Sequence, residues 1–249
     1  MLPGLNNMGR QAIAPVGGYV AEAWDNQGTQ WMGDNTYSGG AASKTGIGFL
    51  EFFFDGVTFP ANARLLEFRD AAGNIRFDVR VLVNGQIDIQ GKNAANTIIF
   101  RRLTQTGVVS ELGWHNLLWA HDLLNTTGEL YIDNSQITSF AASTTTNDLI
   151  AAFGRVGVFA GTSGSSIFDG YMSQVFDDSQ TFADITSSVV RANFINQSTG
   201  KPEDLTGYLS PQLLLQSDFT SITTNSGSAD DLALSGTGSF IEAATGPSD

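Results

Sequence analysis

GWHNLLWAHDLLNTTGELYIDN, residues 113–134, is the stretch whose reading decides the fold. Trp114 opens a mostly apolar stretch of eight residues, 114–121. A polar turn centred on Gly128 follows, then a short strand, Leu130-Tyr131-Ile132, that ends in Asp133-Asn134. Two such runs joined by a Thr/Gly turn predict a β-hairpin. Trp114 reads as a core anchor, because a large ring contributes most when it is buried.

Working outward, strand-like segments recur over 18–24, 29–33, 46–54, 63–69, 74–83, 86–90 and 97–103, and again over 154–160 and 167–176. Ile75-Arg76-Phe77-Asp78-Val79-Arg80-Val81 alternates apolar and charged residues, the period of a half-buried strand. IGFLEFFF (47–54) is more continuously apolar, which suits a central strand of a two-sheet packing. FRDAAGNIRF is a second hairpin, with its turn at Ala72-Gly73-Asn74. Only DITSSVVRANFIN (184–196) shows helical spacing, with Asp184 placed as an N-cap. A short strand at Leu213-Leu214-Leu215 and a weak one around Leu232–Leu234 follow. The expected fold is all-β: an antiparallel two-sheet sandwich with one short helix near the C-terminus. Residues 1–17 read as an extended arm and 18–249 as one domain.

Composition narrows the function classes. The formal charge of −13, with only 12 Lys and Arg, argues against nucleic acid, which is held by clustered cations. The chain has no cysteine, so it carries neither a disulfide framework nor a thiolate metal site. No stretch approaches the roughly 18–20 apolar residues of a membrane span, and the first twenty residues do not read as a secretory signal. The expectation is a protein made in a cytoplasm that either stays there or leaves inside an assembled particle, without membrane insertion.

The wording of the 113–134 hairpin resembles that of laminin-G-like domains, Trp-His-His, an apolar strand, Gly, Leu-Tyr-Val-Asp. FDGYMSQVFDD (168–178) is similar to their closing strand, Phe-x-Gly-x-Ile-Asp-Glu-Val, but with Ser173 and Gln174 where the acids usually stand. GRVGVFAGTSGSS (154–166) fits the strand and Gly/Ser loop that precede it. The order FINQSTGKPEDLT, Leu-Leu-Leu, a Gly-rich loop and a terminal Pro-Ser-Asp is similar to tailed-bacteriophage proteins that carry a concanavalin A-like jelly roll. So is the cadence of residues 63–100. The resemblance implies a virion structural protein, a decoration, spike or fibre component found in the particle. It would be anchored to other virion proteins through residues 1–17, homo-oligomeric, and able to engage host-surface glycans. A free lectin or carbohydrate-binding module is the alternative, and a degenerate glycosidase the third.

Candidate site residues follow from chemistry. Exposed rings stack on sugars, and Trp24, Trp31, Tyr37 and Trp119 are the candidates. Calcium, a hard cation, is often bound by relatives of this fold through loop Asp and Asn. Asp25, Asn26, Asp34, Asn35 and Asp169 would be its ligands. The two histidines, His115 and His121, share one strand face and with Asp122 would supply three ligands at most, where zinc needs three or four that converge. Glucanases on this fold set paired carboxylates on one strand as Glu-x-Asp-x-x-Glu. None of the seven Glu begins that motif, and Glu51 with Asp55 is the nearest approach. The chain is therefore read as a non-enzyme.

Overall fold

The computed structural model describes residues 24–28, 31–34, 36–37, 40–54, 62–110, 112–160, 168, 170–216, 224–229, 231–235 and 238–242. For 24–28, 31, 234–235 and 238–242 the backbone alone is described. The expected arm, 1–17, lies outside these residues.

The chain forms two antiparallel sheets of eight strands each among the described residues. The first runs β10 (Ser135–Gln136), β9 (Thr127–Ile132), β8 (Gly113–Asp122), β3 (Thr45–Phe54), β13 (Tyr171–Asp178), β1 (Trp24–Gly28) and β16 (Gly238–Glu242), with β14 (Leu213–Leu215) also paired to β13. The second runs β11 (Phe140–Thr145), β7 (Ile98–Thr104), β6 (Ile87–Lys92), β5 (Ile75–Val81), β4 (Ala63–Arg69), β12 (Arg155–Val158), β2 (Trp31–Asp34) and β15 (Ala233–Ser235). One short helix, α1 (Ser188–Arg191), lies between β13 and β14. The main core fills the space between the sheets. Leu50, Phe52, Leu117, Trp119 and Val175 from the first meet Leu66, Phe68, Val79, Val81 and Ile89 from the second.

The apolar run of β3 has a physical cause. Its inward residues join the main core, whereas Ile47 and Phe49 face the other way into a second cluster with Leu118, Ala120, Phe176, Ile185, Phe194, Ile195 and Leu205. Residues 183–209 wrap this outer face, so β3 and β8 are apolar on both sides where the wrap lies. Arg191 pins the wrap. Its guanidinium sits 4.5 Å from the Tyr131 ring and donates to Asn134 Oδ1 and to the carbonyls of Ile185 and Thr186.

The hairpin of β4 and β5 turns as expected, with Gly73 at φ 90° and its N–H on the Asp70 carbonyl. The other two expectations need correction. The β8–β9 turn is not centred on Gly128; it spans 123–126, where Asp122 Oδ1 accepts from the N–H groups of Leu124 and Asn125 and Thr126 takes φ 54°. Gly128 pairs with His121 inside the ladder. It is a glycine because a Cβ there would lie 2.6 Å from both the Arg102 guanidinium and the Phe100 ring. The segment 184–196 holds only four α-helical residues, and Asp184 does not cap them. Its Oδ1 accepts from Thr186 N and Oγ1 in a local turn, and Ser187 occupies the N-cap. Asn193 bonds the carbonyls of Val189 and Val190, closing the helix, while Phe194 and Ile195 turn into the sheet.

Candidate functional site

The wrap covers only part of the outer face of the first sheet. Beyond it, three side chains on adjacent strands meet: Phe53 of β3, Trp114 of β8 and Tyr171 of β13. Phe53 lies directly opposite Trp114 in register. Ring centroids are 5.6 Å apart for Phe53–Trp114, 5.1 Å for Phe53–Tyr171 and 6.5 Å for Trp114–Tyr171. All three remain partly exposed. Strand alternation puts them on one face, and the ladder sets their spacing.

The next row along the strands is polar and buried. Glu51 is paired with Asn116 across the ladder, and the β3–β13 register shifts between Met172 and Val175, so Ser173 and Gln174 together oppose Glu51. Such a bulge re-aims side chains. Gln174 Nε2 donates to the Glu203 carbonyl of the wrap. Glu51 is 2% exposed, and burial pushes its carboxyl well above the usual range. Ser173 pulls the other way but stops short of hydrogen-bond geometry, and Asp133 adds to the rise. Glu51 Oε2, Ser173 Oγ and Trp114 Nε1 are buried with no hydrogen-bond partner among the described residues. Asp133, at the rim, accepts from Asn116 N through Oδ1 and pairs with His115 Nδ1 at 2.7 Å through Oδ2. The exchange of the usual acids for Ser173 and Gln174 now has a reason. An acid at either place would face the buried Glu51.

This platform differs from the residues singled out in the sequence. Trp114 is partly exposed rather than a core anchor. Tyr37 and Trp119 are 2% and 1% exposed and present no ring to solvent: Tyr37 packs on Phe68 and Phe153, Trp119 on Phe77. The backbone register sets Trp24 beside Met172 and Asp25 beside Tyr171, next to the platform, and Trp31 opposite Ser235 in the other sheet. Asn26 continues β1, opposite Phe240. Asp34 Oδ1 accepts from Thr36 N and Oγ1, closing a local turn. Asn35, Asp55 and Asp169 lie outside the described residues. No group of three or more His, Asp or Glu among the described residues could hold a metal ion. His121 is buried against Phe77 and Phe100, and burial takes its imidazole down to about 3. Asp122 belongs to the turn, not to a ligand set.

The outer face of the second sheet carries charge, which sequence periodicity hinted at in β5. Glu67 is held by Arg64 at 2.8 Å and Arg69 at 2.6 Å, and Asp88 by Arg80 at 2.6 Å, Arg101 at 3.0 Å and Gln90 at 2.7 Å. Between them Asp78 contacts Arg80 at 3.0 Å, and burial raises its carboxyl to about 6. With both oxygens of Glu67 and Asp88 occupied, neither is free to attack an anomeric carbon or activate water. Between the sheets, a cavity of about 10 Å³ is lined by Ser43, Thr45, Phe77, His121 and Asp177. It has room for one water molecule, not for a sugar.

No protein-family model matches the sequence, and no curated protein matches it. Solved structures do. A heptameric SAP-like pentraxin from Limulus polyphemus is similar at a TM-score of 0.52 and 12% identity, over 86% of this chain and 94% of that one. A Bacteroides ovatus protein provisionally described as carbohydrate-binding reaches 0.60 at 12% identity, over 92% of this chain and 62% of its own. The ligand-binding domain of botulinum neurotoxin serotype D, solved with N-acetylneuraminic acid, reaches 0.51 at 12% identity, over 74% and 46%. At such identities the likeness establishes architecture alone: the chain is an antiparallel two-sheet jelly-roll sandwich, as these proteins are.

Proposed function

We propose that the protein is a non-enzymatic glycan-binding domain whose ligand lies on the Phe53–Trp114–Tyr171 platform. The observation that carries this reading is the platform itself, three touching, partly exposed rings beside the stretch of sheet that residues 183–209 cover. Aromatic faces take the C–H side of a pyranose ring, and the polar groups around them hold its hydroxyls. The neighbours in fold support the reading, since one is described as carbohydrate-binding and another was solved with a sugar. Chemistry at the site points away from hydrolysis. Glu51 is 2% exposed and Asp133 has both oxygens engaged, so this pair supplies no acid and base to flank a glycosidic bond. The resemblance of the motif order to phage proteins gives the setting we favour, a virion decoration, spike or fibre component presenting this domain to host glycans.

A glycan array followed by calorimetry on the best hit, with EDTA present, tests the site. Trp114→Ala should weaken binding at least tenfold, since a central Trp at a recognition site is worth about 2 kcal/mol or more. The partly exposed ring can be removed without unfolding the sheet, which a far-UV spectrum checks. Unchanged affinity in Trp114→Ala refutes the platform. Polysaccharide turnover that disappears in Glu51→Gln refutes the non-enzyme reading.

A further inference from the structure

We infer that the platform selects neutral hexose rings and rejects sugars that carry a carboxylate. The inference rests on the glycan-binding reading and adds the ligand's charge class. It is motivated by how the chain distributes its cations. Seven of its arginines, Arg64, Arg69, Arg76, Arg80, Arg101, Arg102 and Arg155, lie on strands of the second sheet, and Arg102 reaches back to the first sheet at the Gly128 carbonyl of β9, where it is bound. In the wrap over the platform's own sheet the cations are Lys201 and Arg191, and the Arg191 guanidinium is committed to Asn134, to two carbonyls and to the Tyr131 ring.

The acid at the rim has the opposite sign. Asp133 is the exposed charge beside the polar row, with 45% of its side chain accessible, and it is close enough to act on Glu51. The ladder also pairs Asp25 with Tyr171. A ligand carboxylate is bound tightly where a fork of N–H donors meets it. Here it would meet Asp133 and, at longer range, a chain of net charge −13. A neutral ring meets neither penalty, and its hydroxyls can both donate and accept.

The test uses matched probes that differ only in oxidation at C6: galactotetraose against tetragalacturonate, and cellotetraose against its C6-carboxylate form. Binding is measured for the full chain, Trp114→Ala and Asp133→Asn. Asparagine is the conservative choice, because residue 133 has φ 50°, a conformation it tolerates. We expect a neutral probe to bind in a Trp114-dependent way and its acidic partner to bind at least tenfold more weakly. Asp133→Asn should narrow that gap about threefold, the effect of one partly screened charge. An acidic probe that binds as well as its neutral partner, still dependent on Trp114, overturns the selectivity and leaves the platform standing. A gap that Asp133→Asn does not alter removes Asp133 as its source. No Trp114-dependent binding to any probe defeats both the platform and its selectivity.

Discussion

Phe194→Ala is the perturbation that most directly asks whether residues 183–209 belong to the fold or merely lie on it. Phe194 is fully buried and makes three ring contacts: Phe49 at 5.5 Å, Phe176 at 5.4 Å edge-on and Tyr208 at 5.0 Å edge-on. Truncating a buried Phe costs about 3–5 kcal/mol in lost transfer energy and cavity. The edge-on contacts, worth about 0.5–1.5 kcal/mol each, argue for the upper part of that range. A domain with about 5–15 kcal/mol of stability should survive this, but with a lowered urea midpoint. With a slope near 2–3 kcal/mol per molar, the shift should be about 1.5–2 M. Urea titration followed by tryptophan fluorescence reads it. Sugar binding should weaken too, although Phe194 is not in the site, because the wrap supplies the Glu203 carbonyl that holds Gln174 and the Gln197 side chain that holds Asn134. A loss below 1 kcal/mol would mean that the wrap is not part of the cooperative core, and the second cluster would lose its meaning.

Two further outcomes follow from the interior. Gly48→Ala should cost about 1–3 kcal/mol as an overpacked core, because a Cβ there would lie 2.0 Å from the Trp119 ring; thermal melts that match the parent would show that the ring moves freely. His121 titrates near 3 folded and 6.5 unfolded, so the unfolded chain binds more protons between these values and stability is lost as pH falls through that window, by about 1.4 kcal/mol per unit. The buried acids Glu51 and Asp177 act with the opposite sign, losing stability as pH rises above about 4, so the His121 share is the difference in slope between parent and His121→Phe from pH 6 to 4, and parallel curves refute it.

Local signals made the strands legible. Alternation located β5, apolar continuity located β3, and the Gly73 turn set the β4–β5 hairpin, because each of these depends on neighbours in sequence. What escaped depends on pairing across the sheet. β11 reads as Phe-Ala-Ala-Ser-Thr-Thr, with no apolar alternation, and it is a strand only because it lies against β7. The helix is overestimated in sequence because Ile185, Val189 and Ala192 recur at helical spacing with Val190 and Phe194 beside them, whereas Ile185 and Phe194 are anchors of an irregular wrap. Gly128 has the look of a turn residue in sequence, but close approach of Arg102 and Phe100 is what requires it there. The site was hidden for the same reason. Phe53, Trp114 and Tyr171 are distant in sequence, and neither register nor exposure can be read from the residues singly. Trp119, five residues after Trp114 on the same strand, points the other way by parity alone, and the period of two was the one available signal that the two rings have different fates.

The position of the platform can be argued from the way the two outer faces are completed. A sheet that is apolar on both sides has to cover the second side. The first sheet does so with residues 183–209 over Ile47, Phe49, Leu118, Ala120 and Phe176. The second sheet avoids the problem by placing Glu67, Asp78 and Asp88 outward and neutralising them with arginine. Either device would have served for the last row of β3 and β8. Instead that row carries Phe53 and Trp114, joined by Tyr171, and the wrap stops short of them. A contiguous ring cluster left partly exposed beside the covered stretch is the kind of surface that ligand sites use, and the bulge at Ser173 and Gln174 lies beside it, where the ladder gives up a regular register. Core packing requires none of these three rings to be exposed, and their exposure is the feature on which the proposed binding site rests.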